Sequence, residues 1–305
     1  MINVDRLIKS YNGFTAVDGI SFEAKKGQIL GFLGPNGAGK TTTMKILTCY
    51  MPPSSGNVTI DGLSVHTHSK EIRKKIGYLP EHAPIYSDMN VVDYLQFVAE
   101  IHQIEKPNRL KAIKRVIDMC GLGEMTHKDI GELSKGYRQR VGLAQSMIHN
   151  PDILILDEPT TGLDPNQIIE IRSLIKEIGR EKTVIFSTHI LQEVTATCDD
   201  VMNINKGKIV AKGTPDELQA NAQGKGILNL ELKPGVTGVA EKLSGVYGVT
   251  SVKHGNTENT FVVESDKETD VRESVFKCAI ENDWVLLGMD RYQTSLEDVF
   301  RQLTD

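Results

Sequence analysis

The chain has 305 residues with a formal net charge of −5, 25% charged residues and 39% hydrophobic residues, which fits a globular protein with one large core, or one large and one small. The acidic balance provides no global basic field for nucleic acid or an anionic membrane surface. Because no apolar run long enough to span a bilayer and no signal-peptide core occur, we expect a cytosolic protein that reaches a membrane only through a partner.

Short β-prone runs open the chain at residues 2–8, 16–22 and 28–33. The third run leads into the octapeptide GPNGAGKT, Gly34 to Thr41, and residues 42–50 then carry apolar side chains at helical spacing. A strand, a glycine-rich turn and a helix in this order form the phosphate-loop pattern. The pattern predicts that the chain binds a nucleoside triphosphate.

The residue types of this loop suit phosphate binding. Gly34, Gly37 and Gly39 let backbone N–H groups turn inward toward phosphate oxygens, and the helix N-terminus adds partial positive charge. The ammonium of Lys40 would reach the β- and γ-phosphates, and the hydroxyl of Thr41 would ligate Mg²⁺.

The region after the loop alternates strands with helices, which predicts an α/β core around a largely parallel sheet with both faces covered. Helical periodicity dominates between the predicted strands at residues 76–79 and 152–156, where Val92 and Leu95 belong to one apolar stripe and Leu110 begins another. We interpret this part, about residues 88–150, as a helical subdomain inserted into the core. The predicted strands cover residues 56–62, 76–79, 152–156 and 183–187, with a helix at 168–180.

A polar, glycine-rich segment at residues 221–226 marks a predicted domain boundary. Beyond it the order strand, helix, strand, strand, helix, strand matches the ferredoxin-like arrangement, and a closing helix is predicted at residues 296–303. We therefore expect two domains, a nucleotide-binding domain at residues 1–222 and a small α+β accessory domain at residues 226–305.

The peptide DILILDEP places Asp157 at the end of a buried strand, with Glu158 directly after it. An acidic residue in this place can hold a Mg²⁺-bound water beside a phosphate loop. The adjacent Glu158 is the natural general base for a water that attacks the γ-phosphate. The two carboxylates together therefore predict hydrolysis of the bound nucleotide.

Three short motifs surround this acidic strand. Ser134 begins a predicted helix, where its side chain could act simply as an N-cap. The motif Gly162-Leu163-Asp164 follows the acidic strand, and His189 follows the next strand. Their order relative to the phosphate loop favours a role at the nucleotide.

The ordered set GPNGAGKTT, IGYLPE, LSKGY, ILILDEP, TTGLDP and STH resembles the ATP-binding-cassette (ABC) transporter ATPases over residues 1 to about 220. This resemblance implies a P-loop ABC ATPase core, in which a mixed sheet carries an antiparallel β subdomain and a helical subdomain. It also implies hydrolysis of ATP with Mg²⁺. The C-terminal extension, which ends in LEDVFRQLT, resembles the cytosolic subunits of bacterial export-type systems, among them the subunit associated with gliding motility.

The resemblance assigns roles within one chain. Asp157 would position Mg²⁺, Glu158 would activate water, and His189 would hold the γ-phosphate and orient that water. Tyr11 corresponds to the aromatic residue that stacks on adenine. The phosphates and Mg²⁺ would be held by the loop residues Gly34, Pro35, Asn36, Gly37, Ala38, Gly39, Lys40, Thr41 and Thr42.

Other roles require a second chain. Ser134 and Gly136 would close on the ATP held by a partner, with their helix N-terminus facing the γ-phosphate, and Asp164 would contact that partner. Only one phosphate loop is present, so the implied head-to-tail dimer needs a second copy or a paralogue. A separate integral membrane subunit would contact residues 81–92.

Two positions depart from the family pattern. Glu81 stands where the family usually has the Gln that senses Mg²⁺; a carboxylate can still accept from metal-bound water, so we expect function to be retained with altered coupling. The signature usually reads LSGGQ, and here Lys135 and Tyr137 replace a Gly and a Gln, while Ser134 and Gly136 persist. Lys135 either adds positive charge at the phosphate or points to solvent.

The competing class is a soluble ABC ATPase that acts in translation or DNA repair. The translation type carries two cassettes on one chain, and the repair type has a long coiled coil before the signature; neither feature is found in this sequence. The acidic balance also fits nucleic acid poorly. For the C-terminal domain a sensor role remains open, and we favour a role in stabilising the dimer.

The four cysteines, Cys49, Cys120, Cys198 and Cys278, are far apart in the sequence and form no C-x-x-C motif. Three of them stand at apolar-periodic positions, which predicts buried free thiols in a reducing compartment. His66 and His68 could suggest a metal site, but no further ligand spacing supports it. The only metal that the sequence predicts is therefore the Mg²⁺ of the nucleotide.

Overall fold

The computed structural model describes residues 1–222, 225–255, 257, 259–266 and 269–292. Two compact units make up the chain, Met1–Pro215 and a second that begins at Asp216. This division lies before the predicted boundary after residue 222, because the helix at Pro215–Ala222 lies almost wholly with the second unit. The predicted closing helix at residues 296–303 lies outside the described residues.

The first unit combines an antiparallel and a largely parallel sheet. In chain order the elements of the unit are β1 (Ile2–Tyr11), β2 (Phe14–Ala24), β3 (Ile29–Leu33), α1 (Lys40–Leu47), β4 (Ser55–Ile60), β5 (Leu63–Ser64), α2 (Ser69–Lys75), β6 (Ile76–Leu79), α3 (Val91–Ile101), α4 (Lys106–Cys120), α5 (Lys135–Met147), β7 (Ile153–Asp157), α6 (Pro165–Gly179), β8 (Thr183–Thr188), α7 (Leu191–Thr197), β9 (Asp200–Asn205) and β10 (Lys208–Gly213). Strands β1, β2, β4 and β5 form the antiparallel sheet in the order β2-β1-β4-β5.

The six-stranded sheet has the order β10-β9-β3-β8-β7-β6. Its five strands β3 and β6 to β9 are parallel, and β10 adds an antiparallel edge. Every residue of β3, β7 and β8 is buried, as expected for parallel strands with both faces covered. The mixed sheet and the antiparallel subdomain confirm the expected fold class. Because β3 and β7 both pair with β8, the segments that follow these three strands meet at one edge of the sheet.

The helical insertion between β6 and β7 contains α3, α4 and α5. Asn90 caps α3, since its side chain accepts a hydrogen bond from the Asp93 N–H at 2.9 Å. The predicted apolar stripes are partly wrong: Val92 is 36% exposed and Leu110 is 78% exposed. In α3 the buried face runs through Val91 and its helical neighbours one and two turns on, so Val92 lies one position off that face.

A stacked histidine pair joins α3 to the end of α5. The His102 and His149 rings lie 4.0 Å apart with an interplanar angle of 6°, and the His149 Nε2 lies 3.1 Å from the Ile76 carbonyl oxygen. Burial, together with the charges of His102, Arg115 and Lys182, lowers the pKa of His149 to about 4, although the hydrogen bond with the Ile76 carbonyl raises it. The fold therefore favours the neutral His149 ring.

This pair predicts a loss of stability in acid. The unfolded chain binds a proton at His149 near pH 6.5 and the folded chain only near pH 4, so the free energy of unfolding falls as the pH drops through that window. Urea unfolding at pH 7 and pH 5 measures the effect. His149→Gln should show a smaller difference between the two pH values than the parent chain, whereas the exposed-site control His127→Gln should match the parent.

The second unit, as far as the structure describes it, holds α8 (Pro215–Ala222), β11 (Lys225–Leu232), α9 (Val239–Ser244), β12 (Val249–His254), β13 (Thr260–Asp266), α10 (Arg272–Glu281) and β14 (Leu286–Tyr292). The four strands form an antiparallel sheet in the order β12-β13-β11-β14. This order of strands and helices is the one that a ferredoxin-like domain requires. Its core contains residues of all four strands and both helices that follow β11 and β13.

Two further expectations concern the whole chain. The four cysteines are free thiols, but only Cys120 is fully buried. Within the described ranges, no helix is both long and apolar enough to cross a membrane.

Candidate functional site

The phosphate loop connects β3 to α1 in the predicted manner. Gly37 and Gly39 have φ angles of +80° and +107°, a region that favours glycine. Gly39 is the N-cap of α1 and has a left-handed conformation. The loop therefore takes a shape that its glycines permit, at the N-terminus of a helix.

Glycine is required at position 34 for a different reason, because the backbone there lies close to a neighbouring strand. A Cβ atom at Gly34 would lie 2.2 Å from the Ile204 carbonyl oxygen. We predict that Gly34→Ala lowers the free energy of unfolding by roughly 1–3 kcal/mol and weakens ATP binding, because the loop must shift. Urea unfolding and a nucleotide titration measure both effects. Gly123→Ala, where a Cβ meets nothing within 4 Å, should leave both unchanged; equal behaviour of the two variants would contradict the prediction.

Lys40, the first residue of α1, is buried inside the loop. Its Nζ donates to the Gly34 carbonyl at 2.7 Å and to the Pro35 carbonyl at 3.3 Å. It also lies 3.2 Å from Glu158 Oε1, and the two side chains are only 5% and 7% exposed. Lys40 thus joins the phosphate loop to the acidic strand β7 through a buried ion pair.

Asp157 ends β7 opposite the loop. Its Oδ1 accepts hydrogen bonds from Ser187 Oγ at 2.5 Å and from Thr41 Oγ1 at 3.2 Å. Burial raises the pKa of Asp157, the charges of Glu158 and Glu81 raise it further, and the two hydroxyl hydrogen bonds lower it. A cation beside this carboxylate would offset the cost of its burial.

The donor set around Asp157 fits Mg²⁺. Asp157 Oδ2 is buried and has no hydrogen-bond partner among the described residues. Thr41 supplies a hydroxyl oxygen at the same carboxylate, and hard oxygen ligands are those that Mg²⁺ prefers. Glu81 is solvent-exposed, and its charge raises the pKa of Asp157, so the two carboxylates are near enough to interact electrostatically.

Glu158 follows Asp157 with a left-handed φ of +50°, which is uncommon for a residue with a side chain. Its N–H donates to the Ser187 carbonyl and to Ser187 Oγ, both at 3.1 Å. Its Oε2 accepts from Thr161 Oγ1 at 3.2 Å and lies 2.9 Å from His189 Nδ1. The carboxylate is therefore held between β8, the next loop and Lys40.

The structure thus brings four predicted residues, Lys40, Asp157, Glu158 and His189, into one connected group. Sequence reasoning missed two hydroxyl residues of this group, Ser187 and Thr161. Ser187 lies near the carboxyl end of the strand that precedes His189. Because ligands of α/β sheets bind at the carboxyl ends of the strands, this position could have predicted Ser187 as a site residue. Thr161 lies in the TTGLDP motif noted above, but sequence reasoning gave that residue no role of its own.

The signature residues form a second group. Ser134 is the N-cap of α5 and accepts from the Tyr137 N–H at 3.4 Å; Asp164 caps α6 by accepting from the Gln167 N–H at 3.0 Å. A Cβ at Gly136 would lie 2.6 Å from the Gln167 side chain. Within the described residues, the hydrogen bonds and ion pairs of the Lys40 group include neither Ser134 nor Asp164.

Two further predicted residues, Lys135 and Tyr11, are described by their exposure and their contacts. The Lys135 side chain is exposed, and its Nζ lies over Gly162, only 2.1 Å from where a Cβ would stand. Tyr11 is 41% exposed at the end of β1. Its hydroxyl donates to Met51 Sδ at 3.0 Å, and the Lys9 ammonium lies 5.3 Å from its ring centroid. Part of this ring is therefore exposed to solvent.

Fold and site together define a phosphate-loop nucleotide hydrolase. A buried lysine emerges from a glycine-rich loop, and an acidic pair and a histidine follow neighbouring parallel strands.

Comparisons with known proteins narrow this class. The family model described as "ABC transporter" matches residues 17–161; a model described as "AAA domain, putative AbiEii toxin, Type IV TA system" matches residues 129–195. The linearmycin resistance ATP-binding protein LnrL of Bacillus subtilis is 30% identical, covering 100% of this chain and 98% of its own length. The bacitracin transport ATP-binding protein BcrA of Bacillus licheniformis is 39% identical over 72% of this chain and 71% of its own length.

A solved structure supports the same family. The structure of cbiO1 from Clostridium perfringens, described as part of the ABC transporter complex cbiONQ, matches with a TM-score of 0.67 and 30% identity, covering 72% of this chain and 90% of that one. The chain belongs to the ATP-binding subunits of ABC transporters. It binds ATP, and its activity is ATP hydrolysis.

Proposed function

We propose that this chain drives export through a separate integral membrane subunit by binding and hydrolysing ATP in a head-to-tail dimer. The observation that carries the proposal is that, among the described residues, no hydrogen bond or ion pair joins the group around Lys40 and Glu158 to Ser134 or Asp164. Two relatives, a linearmycin resistance protein and a bacitracin transport protein, support export as the direction.

Within one chain, Glu158 takes the proton of the attacking water, because its Oε2 lies 2.9 Å from His189 Nδ1 and its position is fixed by Ser187 and Thr161. His189 holds the γ-phosphate and orients the water. Tyr11 stacks on adenine. The triphosphate lies along the loop residues Gly34, Pro35, Asn36, Gly37, Ala38, Gly39, Lys40, Thr41 and Thr42.

Lys40 changes partner when ATP binds. In the structure its ammonium is paired with Glu158 and with two loop carbonyls. A phosphate in the loop offers a stronger counter-charge, so Lys40 turns to the β- and γ-phosphates and Glu158 is released to act on water. Mg²⁺ would be held by Thr41, Asp157 and Glu81; when bound it neutralises phosphate charge.

The second group completes the site of a partner chain. Ser134 and Asp164 are exposed, and Ser134 and Gly136 stand at the N-terminus of α5, whose first turn contains no acidic residue. Such a helix end favours a phosphate. We propose that Ser134 and Gly136 bind the γ-phosphate of ATP held by a second copy or a paralogue, while Asp164 contacts that chain.

Mixing two inactive variants tests the shared site. In a head-to-tail dimer of Lys40→Met with Ser134→Arg, one site combines the intact phosphate loop of one chain with the intact signature of the other. We expect the mixture to recover ATP hydrolysis that neither variant shows, and the parent chain to lose activity per molecule on dilution. A mixture that stays inactive, together with a dilution-independent rate, would mean that each chain holds a complete site.

Residues 81–92 and the adjoining face of α3 are the proposed contact for the membrane subunit. Tyr86 is 54% exposed, and its ring lies 5.6 Å from that of Phe97, itself 36% exposed. Ile101 extends this apolar surface. Purification from solubilised membranes tests the assignment: a membrane protein should co-purify with the chain, whereas ribosomes or DNA in its place would favour the soluble ABC class.

We further propose that the chain is the ATP-binding subunit of a gliding-motility system, on the strength of the sequence resemblance of its C-terminal extension. Loss of surface motility in cells that lack the chain tests this. For the accessory domain, proposed at residues 226–305, we favour stabilisation of the dimer. Deleting it should weaken ATP-dependent dimerisation; a loss of transport with unchanged dimer affinity would favour a sensor.

A further inference from the structure

Glu193 is a buried carboxylate outside the group described above. It lies in the first turn of α7, and it is 1% exposed. Acidic side chains are almost never fully buried without a partner. Its described partner is Thr188, whose Oγ1 donates to Glu193 Oε2 at 2.6 Å, while Oε1 has none among the described residues. The Glu193 carboxylate is therefore directed toward Thr188.

Thr188 immediately precedes His189. It is fully buried at the end of β8, where it pairs in register with Leu33 of β3. Its hydroxyl donates to Glu193 and also accepts the N–H of Ile190 at 3.0 Å. One hydroxyl thus ties the backbone on both sides of His189 to α7.

The side chain of His189 is only partly buried. Its side chain is 44% exposed, and its Nδ1 lies 2.9 Å from Glu158 Oε2. The helix that follows is only seven residues long, and its N-cap residue makes no side-chain cap hydrogen bond. The backbone at 188–190 carries the imidazole, and the Thr188 hydroxyl links this backbone to Glu193.

We propose that Glu193 is a positioning residue for hydrolysis. Through Thr188 it fixes the turn that carries His189 and so holds the imidazole against Glu158. This inference rests on the proposed role of His189 in orienting the attacking water. A displacement of a positioned group by about 1 Å can lower a rate by about 100-fold, so the contact is large enough to matter for turnover.

The test compares variants of the full chain in a steady-state ATPase assay. Glu193→Ala and Thr188→Val should each lower kcat by about 10- to 100-fold with little change in the KM for ATP. Glu193→Gln and Thr188→Ser should restore most of kcat, because a Gln carbonyl still accepts the hydrogen bond and a Ser hydroxyl still donates it. Thr195→Val is the matched control: it removes a hydroxyl from the same helix, where Thr195 Oγ1 donates only to α7 carbonyls, and should match the parent.

The decisive measurement places Glu193→Ala in a His189→Ala background. If Glu193 acts through His189, the double variant should be no slower than His189→Ala alone, because the two residues act as one unit. An equal further loss in that background, or a normal kcat in Thr188→Val, would overturn the inference.

The same variants distinguish a failure of the proposed role of His189 from a failure of the positioning inference. If His189→Ala keeps the parent kcat, the proposed role of His189 fails; if only His189→Ala is impaired and Glu193→Ala is not, the positioning inference alone fails. Thermal unfolding shows which variants are folded. Should Glu193→Ala not fold, Thr188→Val and Thr188→Ser decide the matter by the same comparison, since both keep the carboxylate.

Discussion

Glu158→Gln is expected to lower ATP turnover by about 10²–10⁴-fold and to leave ATP binding intact. Gln has nearly the shape of Glu and can still accept the hydrogen bond from Thr161, which lies 3.2 Å from Glu158 Oε2 in the parent chain. It cannot accept a proton from water at neutral pH. The loss should therefore fall on kcat, and a steady-state ATPase assay with a parallel nucleotide titration separates the two effects.

The matched control is Glu100→Gln, which removes a carboxylate from an exposed ion pair with Arg109 in the helical insertion. Its turnover should equal that of the parent. If hydrolysis also reopens the proposed dimer, Glu158→Gln should accumulate as a dimer with ATP in size-exclusion chromatography. Unchanged turnover in Glu158→Gln would remove this residue from its role as general base.

Local sequence was enough to predict the parts of this site. The phosphate loop is a short pattern in which glycines, a lysine and a threonine each have a fixed task, so Gly37, Gly39 and Lys40 could be placed on a strand–loop–helix before the fold was known. Asp157 was recognisable for the same reason, because it ends a fully buried strand. These predictions depend on residues that are neighbours in the chain.

The contacts among those parts could not be predicted from local sequence. That His189 meets Glu158 follows from the pairing of β7 with β8, with Asp157 beside Ser187, and no local pattern encodes which strands are adjacent. The left-handed backbone of Glu158 is likewise invisible in the sequence. The error at Val92 has a related cause, because Val91 and Val92 are adjacent and periodicity alone does not decide which of the two faces the core. Leu110 has the spacing of the buried Ile113, and its exposure depends on what packs against that end of α4, which periodicity does not show.

The buried pair of Lys40 and Glu158 leads to a second large expected effect. Lys40→Met should lower ATP hydrolysis by at least ~10²–10³-fold, the cost of removing one donor aimed at developing charge. It should also destabilise the nucleotide-free chain by about 3 kcal/mol, because Glu158 then keeps a buried charge without its counter-ion. Urea unfolding without nucleotide measures the second effect separately from the first.

The double variant Lys40→Met/Glu158→Gln distinguishes this pairing from a general effect of losing a buried lysine. It should regain most of the lost stability, since neither charge remains, and stay inactive. Lys75→Met is the control at an exposed pair, with Asp61 3.0 Å away and side chains 37% and 34% exposed, and should cost less than about 1 kcal/mol. If the double variant is as unstable as Lys40→Met, the hydrogen bonds from Lys40 to the Gly34 and Pro35 carbonyls, and not the ion pair, hold the empty loop in shape.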